Sequence, residues 1–451
     1  MRVGAAVGIR ILTAMQLSIA VPHVVHAQPP AETHVSCEQP GALQRAVEHT
    51  PAGGRILIRE GTCAGNITLV RDVRIQGAGS DRVILRAADP ALPVLTVPRG
   101  VTATISNVTL TGGRVGLLVT GRAAMAFAMV SDNASGGIEV RDNGAFEGDK
   151  LRITGNKGSG LAVIKAGASL RGSIVGQNAT RDGGGGLLLI GGRAELTATQ
   201  LEENDAVFDG GGILALQKST LVLDRVQLAR NTTRTGHGGA IAINGSVADI
   251  GGGSLLHNRA DAGNGGAVAV LNGGELEVSN TTLASNVASF QDADLPGGWG
   301  GGIYVDKASK AALVHATIVR NSARFGAGIA SNNVVTVHAS LLSGNLGAIK
   351  DGECGGSGRI ESRGWNLLMS LGECRFESRP GDLIGASPRL GEPGSYGGAW
   401  TTMPLRDGSP ALDRIPLSVC GGGLDQRLKP RPANGGCDVG AFERQPDERM
   451  P

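Results

Sequence analysis

Three aspartates, Asp182, Asp209 and Asp261, recur at comparable places in a glycine-rich chain, with Asp205 nearby and Arg234 and His237 between the last two. Carboxylates held a few ångströms apart shift one another's pKa values and can bind Ca²⁺ or move protons. With Arg234 or His237 beside them they would suit two reactions on an acidic polysaccharide. One is elimination, in which a base takes the proton beside a uronate carboxylate and a cation meets the developing charge. The other is acid-assisted hydrolysis of a glycosidic bond. The structural alternative is plain: Asp, Asn and Gly are the residues that turns favour. A second constellation lies in a long turn, residues 287–300, which holds Phe290, Asp292, Asp294, Pro296 and Trp299. Trp299 could stack on a sugar ring while Asp292 and Asp294 bond its hydroxyls, or it could simply cover the coil below. No CxxC pair suggests zinc, and no Gly-rich run carries the Lys-Ser/Thr of a phosphate loop. Ca²⁺ is the one cofactor these residues would take.

The elements that must position these groups follow from a repeat. From Val130 to Asn345 an aliphatic residue, two others and Asn return nine times, ending at Asn133, Asn156, Asn178, Asn204, Asn231, Asn258, Asn286, Asn321 and Asn345. The spacing is 22–28 residues except for 35 between Asn286 and Asn321. After each Asn comes a polar, Gly-rich turn, then a short period-2 strand such as Gly239-Ala240-Ile241-Ala242-Ile243. Short strands at this period, without helix-period segments between them, specify an all-β, right-handed parallel β-helix of roughly eleven coils. Residues at one phase then stack at about 4.8 Å. Gly, and Asn itself, are expected to take left-handed conformations at the corners, with each Asn amide bonding the next coil. Residues 41–49 read as a short amphipathic helix covering the open end of the first coil.

Composition agrees. Of 451 residues 73 are Gly and only 3% are aromatic, while 41% are hydrophobic, which excludes wholesale disorder. A net charge of +2 without a basic block gives no support to nucleic-acid binding. Arg2 and Arg10 precede an apolar stretch ending near Val25-His26-Ala27, the pattern of a cleavable export signal. No membrane span is expected in the mature chain. Six cysteines in an exported chain imply disulfides. Their grouping favours Cys37–Cys63, Cys354–Cys374 and Cys420–Cys437 among fifteen connectivities.

The repeats resemble those of polymorphic outer-membrane proteins, with Leu, Ile or Val where those usually carry Phe. Residues Gly364-Trp365-Asn366-Leu367, Gly408-Ser409-Pro410-Ala411-Leu412-Asp413, Asp425-Gln426-Arg427 and Cys437-Asp438-Val439-Gly440-Ala441-Phe442-Glu443 are similar to the choice-of-anchor Q domain of bacterial surface proteins. Leu428 stands where that family usually has Gly, and the residues after Glu443 show no anchor. Gly236-His237-Gly238 resembles the Gly-His-Gly of polygalacturonase-like hydrolases, whose adjacent Asp pair and Arg-x-Lys have no counterpart here. Residue patterns and this resemblance together give an expected organisation of signal peptide 1–27, N-terminal cap 28–65, repeats 66–350, disulfide-containing C-terminal cap 351–445 and polar tail 446–451. The resemblance implies an extracellular β-helix and leaves its activity undefined. The leading expectation for this chain is a secreted or surface-associated monomer that binds a polysaccharide or surface glycan, or takes part in adhesion, without catalysis. A polysaccharide lyase or glycoside hydrolase acting through Asp182, Asp209 and Asp261 is the alternative.

Overall fold

Each coil alternates apolar and polar residues, and the backbone turns that alternation into an inside and an outside. In Arg193–Thr197 the side chains of Ala194 and Leu196 are buried while Arg193 and Glu195 face solvent. The computed structural model, which describes residues 31–289, 298–347 and 352–448, stacks such strands into four parallel sheets. One coil runs through Leu187–Ile190, Arg193–Thr197, Gln200–Glu202 and Asp205–Ala206, in sheets of twelve, fifteen, fourteen and seven strands respectively. Sheets of twelve to fifteen strands agree with the roughly eleven coils expected, and the rungs before Asn133 and after Asn345 continue the stack without the Asn signature. Register is strict: Leu196, Leu223, Ile250, Val278, Leu313 and Val337 lie one above another through the core. The interior is narrow, so aliphatic residues fill it, and Phe146 is a rare aromatic among them.

The nine repeat asparagines form one continuous buried ladder. Asn204 Nδ2 donates to Asn231 Oδ1 at 2.9 Å, Asn231 Nδ2 to Asn258 Oδ1 at 3.0 Å, and the pattern runs from Asn133 to Asn345. From Asn156 on, each Oδ1 also accepts the backbone N–H of the Asn before it, Asn133 Oδ1 accepts that of Gly113, and each Nδ2 also reaches a carbonyl in the preceding coil. The expectation that Asn itself supplies the left-handed corner is corrected. The residue before it does so: Asp132, Gln177, Glu203, Arg230, His257, Ser285 and Arg320 have φ of 54–57°, and Gly155 and Gly344 fill the other two places. At this corner the side chain points to water, so residue type is free, whereas the following position needs a donor and an acceptor together. Asn345 ends the ladder on Glu353, whose carboxylate takes its Nδ2 and the Gly344 N–H.

At the start of the stack, helix α1 (Ala42–His49) buries Leu43, Ala46 and Val47. Gln44 ties it to the backbone of Thr68 in the first strand of the twelve-stranded sheet, and Cys37 is bonded to Cys63. The other cysteines pair as Cys354–Cys374 and Cys420–Cys437.

The C-terminal segment is a strap along the flank. Beyond the last rungs, Phe376–Glu377 and Leu383–Ile384, the chain folds back over the outer face of the fourteen-stranded sheet. Met403, Leu405, Ala411, Ile415 and Val439 of the strap pack against Leu256, Ala284, Val319, Leu341 and Leu367 of the coils. Gly440 makes the closest approach: at φ 99° its N–H bonds the Ala339 carbonyl, and a Cβ there would lie 2.7 Å from Thr317 Oγ1. No helix among the described residues is long and apolar enough to cross a membrane.

Candidate functional site

The turn leading into the twelve-stranded sheet repeats in six successive coils. Each time, one residue precedes a glycine of positive φ: Gly183-Gly184, Asp209-Gly210, His237-Gly238, Asn264-Gly265, Trp299-Gly300 and Phe325-Gly326. Each of these glycines but the last donates its N–H to the carbonyl of the residue before the next glycine, at 2.8–3.1 Å. The six preceding residues therefore form one column on the outside of the stack. At its centre the side chains serve the backbone. Asp209 Oδ1 accepts the His237 N–H at 2.7 Å, His237 Nδ1 accepts the Asn264 N–H at 3.0 Å, and Asn264 Oδ1 accepts the Trp299 N–H at 3.1 Å. With Nδ1 accepting, a neutral His237 carries its proton on Nε2.

Beyond Asn264 the column becomes aromatic. The Trp299 and Phe325 rings lie 4.7 Å apart at an interplanar angle of 34°, and the Arg324 guanidinium stands 5.3 Å over Phe325. Tyr304, on the strand Ile303–Val305, faces the His237 ring at 6.4 Å and 23°. Its hydroxyl accepts from Asn332 Nδ2 at 3.4 Å. Burial pushes the Tyr304 phenol up, so it stays protonated and keeps a proton to donate. Trp299, Phe325, Tyr304 and His237 are all half-buried, presenting ring surface to solvent. Phe208, one coil before His237, is exposed by 56%.

The sequence-derived carboxylates do not converge. Asp182, Asp209 and Asp261 stand four, five and three residues after their ladder asparagines, so stacking puts them in different columns. Asp182 sits in an exposed turn, and Asp209 is engaged with the His237 backbone. Asp261 is paired with Arg259. Arg234 grips Asp205 through two bonds of 2.9–3.0 Å, and that carboxylate holds its pKa further up. No group of three or more His, Cys, Asp or Glu that could hold a metal occurs among the described residues, which leaves the Ca²⁺ expectation without a cage there. Asp292 and Asp294 lie outside the described residues. A shallow groove of about 550 Å³ on the fifteen-stranded sheet, reached by Glu147, Asp149, Arg171 and Glu195, has no aromatic in its lining, and Glu195 is already paired with Arg193.

Sequence reasoning named Trp299 and His237, and Asn264 as the residue filling the slot of His237 in the next coil, but missed Tyr304 and Phe325. The available signal was the X-Gly dipeptide opening each strand. Aligning the strands on that glycine puts His237, Asn264, Trp299 and Phe325 in line.

The residues 425–443, singled out as a motif, form a buried ionic core in the strap. Asp425 pairs with Arg427 at 2.9 Å and Arg431 with Glu443 at 2.8 Å, while the Arg427 guanidinium lies 3.7 Å over the Phe442 ring. Burial, together with the neighbouring Glu443 carboxylate, pushes Asp438 up to about 7. His315, on the coil beneath, is pushed down to about 3 by burial and by the charges of Arg431 and His338. The ion pairs lie within the strap, and Arg431 ties it to the coils by donating to Asn280 Oδ1 at 3.3 Å.

The family model for the right-handed β-helix region matches residues 94–283 and 186–356. No curated protein sequence matches the chain. The catalytic unit of a thermostable α-1,3-glucanase from Streptomyces thermodiastaticus superposes with a TM-score of 0.45 at 13% identity, over 76% of this chain and 65% of that one. The chain thus spans just under two thirds of that glucanase unit. A pectate lyase superposes with a TM-score of 0.32 at 12% identity, over 90% of this chain and 91% of that one. The A-module of a mannuronan C-5 epimerase from Azotobacter vinelandii gives 0.26 at 13% identity, over 76% and 93%. At such identities and scores the activity of each enzyme stays with that enzyme.

Proposed function

Since the chain belongs to the right-handed β-helix family, whose core is filled by its own side chains, we propose that it works through its outer surface, as an exported, non-catalytic carbohydrate-binding protein whose contact site is the aromatic ledge of Trp299, Phe325, Tyr304 and His237. The supporting observation is that ledge. In a chain with 3% aromatics, three rings and an imidazole from three of four consecutive coils collect on one face. Flat apolar rings beside a donating phenol suit a sugar, which offers a C–H face for stacking and hydroxyls at its rim. The turn carboxylates give the catalytic alternative less support, because Asp209, Asp261 and Asp205 are each held by a structural bond or an ion pair. Three disulfides suit an oxidising, extracellular setting.

The test is retention of the purified protein on acidic and neutral polysaccharides, with ultraviolet absorbance and reducing ends read in the same samples. We expect retention on at least one polysaccharide and no product. Trp299→Ala should weaken binding by about tenfold, the equivalent of about 1.4 kcal/mol of lost stacking. Product formed by the wild type and abolished in Asp209→Ala or Asp261→Ala would replace this reading with a lyase or hydrolase. Equal retention of Trp299→Ala and Phe325→Ala would remove the ledge from the binding site.

A further inference from the structure

One short stretch of the strap carries apolar side chains that the fold does not use. Leu417 is exposed by 59%, Val419 by 47%, Leu424 by 50% and Leu428 by 50%. Leu417 and Val419 sit on the helical turn Leu417–Cys420, anchored by the buried Cys420 and its bond to Cys437. Leu424 is on the ribbon Gly423–Leu424 paired with Pro430–Arg431, and Leu428 is in the turn between those strands.

Leu428 is the informative residue. Its φ is +66°, a conformation that a side chain with a Cβ disfavours and that glycine takes freely. The turn is rigidly built: Asp425 Oδ1 accepts the N–H groups of Arg427 at 2.7 Å and Lys429 at 2.9 Å, and the Asp425 carbonyl accepts that of Leu428 at 3.0 Å. A leucine is thus held in a conformation that glycine takes more freely, with half its side chain in water. Four exposed apolar side chains within one short stretch of chain, 417–428, mark a contact surface.

Charge selects the partner. From Pro416 to Leu424 no residue is charged. Between 414 and 431, Asp425, Arg427 and Arg431 are buried in the ionic core, and the ionisable groups that reach solvent are Arg414 and Lys429, both cationic. Asp413, just before this stretch, is also exposed, with one oxygen accepting the Gly436 N–H at 3.3 Å, and leaves the local balance cationic by one charge.

We propose that this tip of the strap docks on an anionic lipid surface. Leu417, Val419, Leu424 and Leu428 enter the boundary between headgroups and acyl chains, and Arg414 and Lys429 meet the lipid phosphates. The site is separate from the aromatic ledge and does not depend on it.

The test is co-sedimentation of the full chain with vesicles of phosphatidylcholine alone or mixed with phosphatidylglycerol, alongside the triple variant Leu417→Ser/Leu424→Ser/Leu428→Gly and Leu428→Gly alone. The wild type should partition onto the anionic vesicles, and high salt should weaken that several-fold. The triple variant should lose at least tenfold. Leu428→Gly should melt no lower than the wild type, because it relieves the turn, while still binding vesicles less. Three results would overturn the proposal: a wild type that stays in solution with anionic vesicles, a triple variant that partitions equally, or a wild-type dimer that the triple substitution splits, which would make the tip a contact between copies.

Discussion

Substituting one rung of the asparagine ladder tests the physical account of this stack most directly. Asn231 is fully buried and central. Its Oδ1 accepts from the Asn204 N–H at 3.1 Å and from Asn204 Nδ2 at 2.9 Å. Its Nδ2 donates to the Leu201 carbonyl at 3.0 Å and to Asn258 Oδ1 at 3.0 Å. Asn231→Ala takes the acceptor from the Asn204 N–H and the amide donor from the Leu201 carbonyl. Asn204 Nδ2 keeps the Val175 carbonyl and Asn258 Oδ1 keeps the Asn231 N–H, so those two are only partly deprived. The Asn204 N–H loses its acceptor outright, while the Leu201 carbonyl keeps its place in the strand ladder. At 1–3 kcal/mol for the orphaned donor plus the weakened bonds, the loss is about 3 kcal/mol. Asn231→Asp is the sharper variant. It retains both acceptor roles but turns a carboxylate oxygen toward the Leu201 carbonyl and Asn258 Oδ1, where a donor is required. At neutral pH it should be less stable than Asn231→Ala. Its folded-state pKa is then raised above the unfolded value, so the deficit should shrink as pH falls through that raised pKa toward about 4. The assay is chemical denaturation followed by far-ultraviolet circular dichroism at pH 7.5 and 5. An Asn231→Ala variant within about 1 kcal/mol of wild type, or an Asn231→Asp variant with no greater acid recovery than the alanine, would refute the reasoning.

Further outcomes concern the strap. Asp438, with a folded pKa of about 7 against about 3.9 unfolded, makes the protein more stable as pH falls from 7 toward 4. His315, with a folded pKa of about 3 against about 6.5, makes it less stable over nearly the same range. The two oppose each other between pH 6.5 and 4, and the raised Glu443 acts in the same direction as Asp438. Asp438→Asn should lose up to about 1.4 kcal/mol per pH unit on acidification, read from denaturation midpoints. Gly440→Ala should lower the unbinding temperature of the strap, reported by emission of Trp400, whose Nε1–H bonds the Arg225 carbonyl at 2.8 Å. No change in that transition would mean that Thr317 yields to the added Cβ without disturbing the contact.

The solenoid was legible because its determinants are local and repeated. An aliphatic-x-x-Asn spacing near one coil length, period-2 strands and few aromatics leave a narrow parallel stack as the arrangement that buries every apolar face. The paired cysteines, each pair within 26 residues, followed the same local logic. What the asparagines do was only half visible. Their recurrence marks a position facing its own copies, but only the backbone shows that the residue before them takes the left-handed corner and that the amide is chosen for its paired donor and acceptor.

The site depended on the tertiary structure more heavily. Asp182, Asp209 and Asp261 look equivalent along the chain, yet stacking converts a difference of one or two residues after the ladder Asn into different columns. Tyr304 and Phe325 look unremarkable in sequence and become neighbours of His237 and Trp299 because coils 26–35 residues long bring them within one or two strand spacings. The strap is the extreme case: Gln426 bonds Thr282 and Arg431 reaches Asn280, across 144 and 151 residues. A repeat fixes its own neighbours, because each coil meets a copy of itself. A non-repeating segment meets surfaces set by the whole stack, and that is decided only when the stack exists.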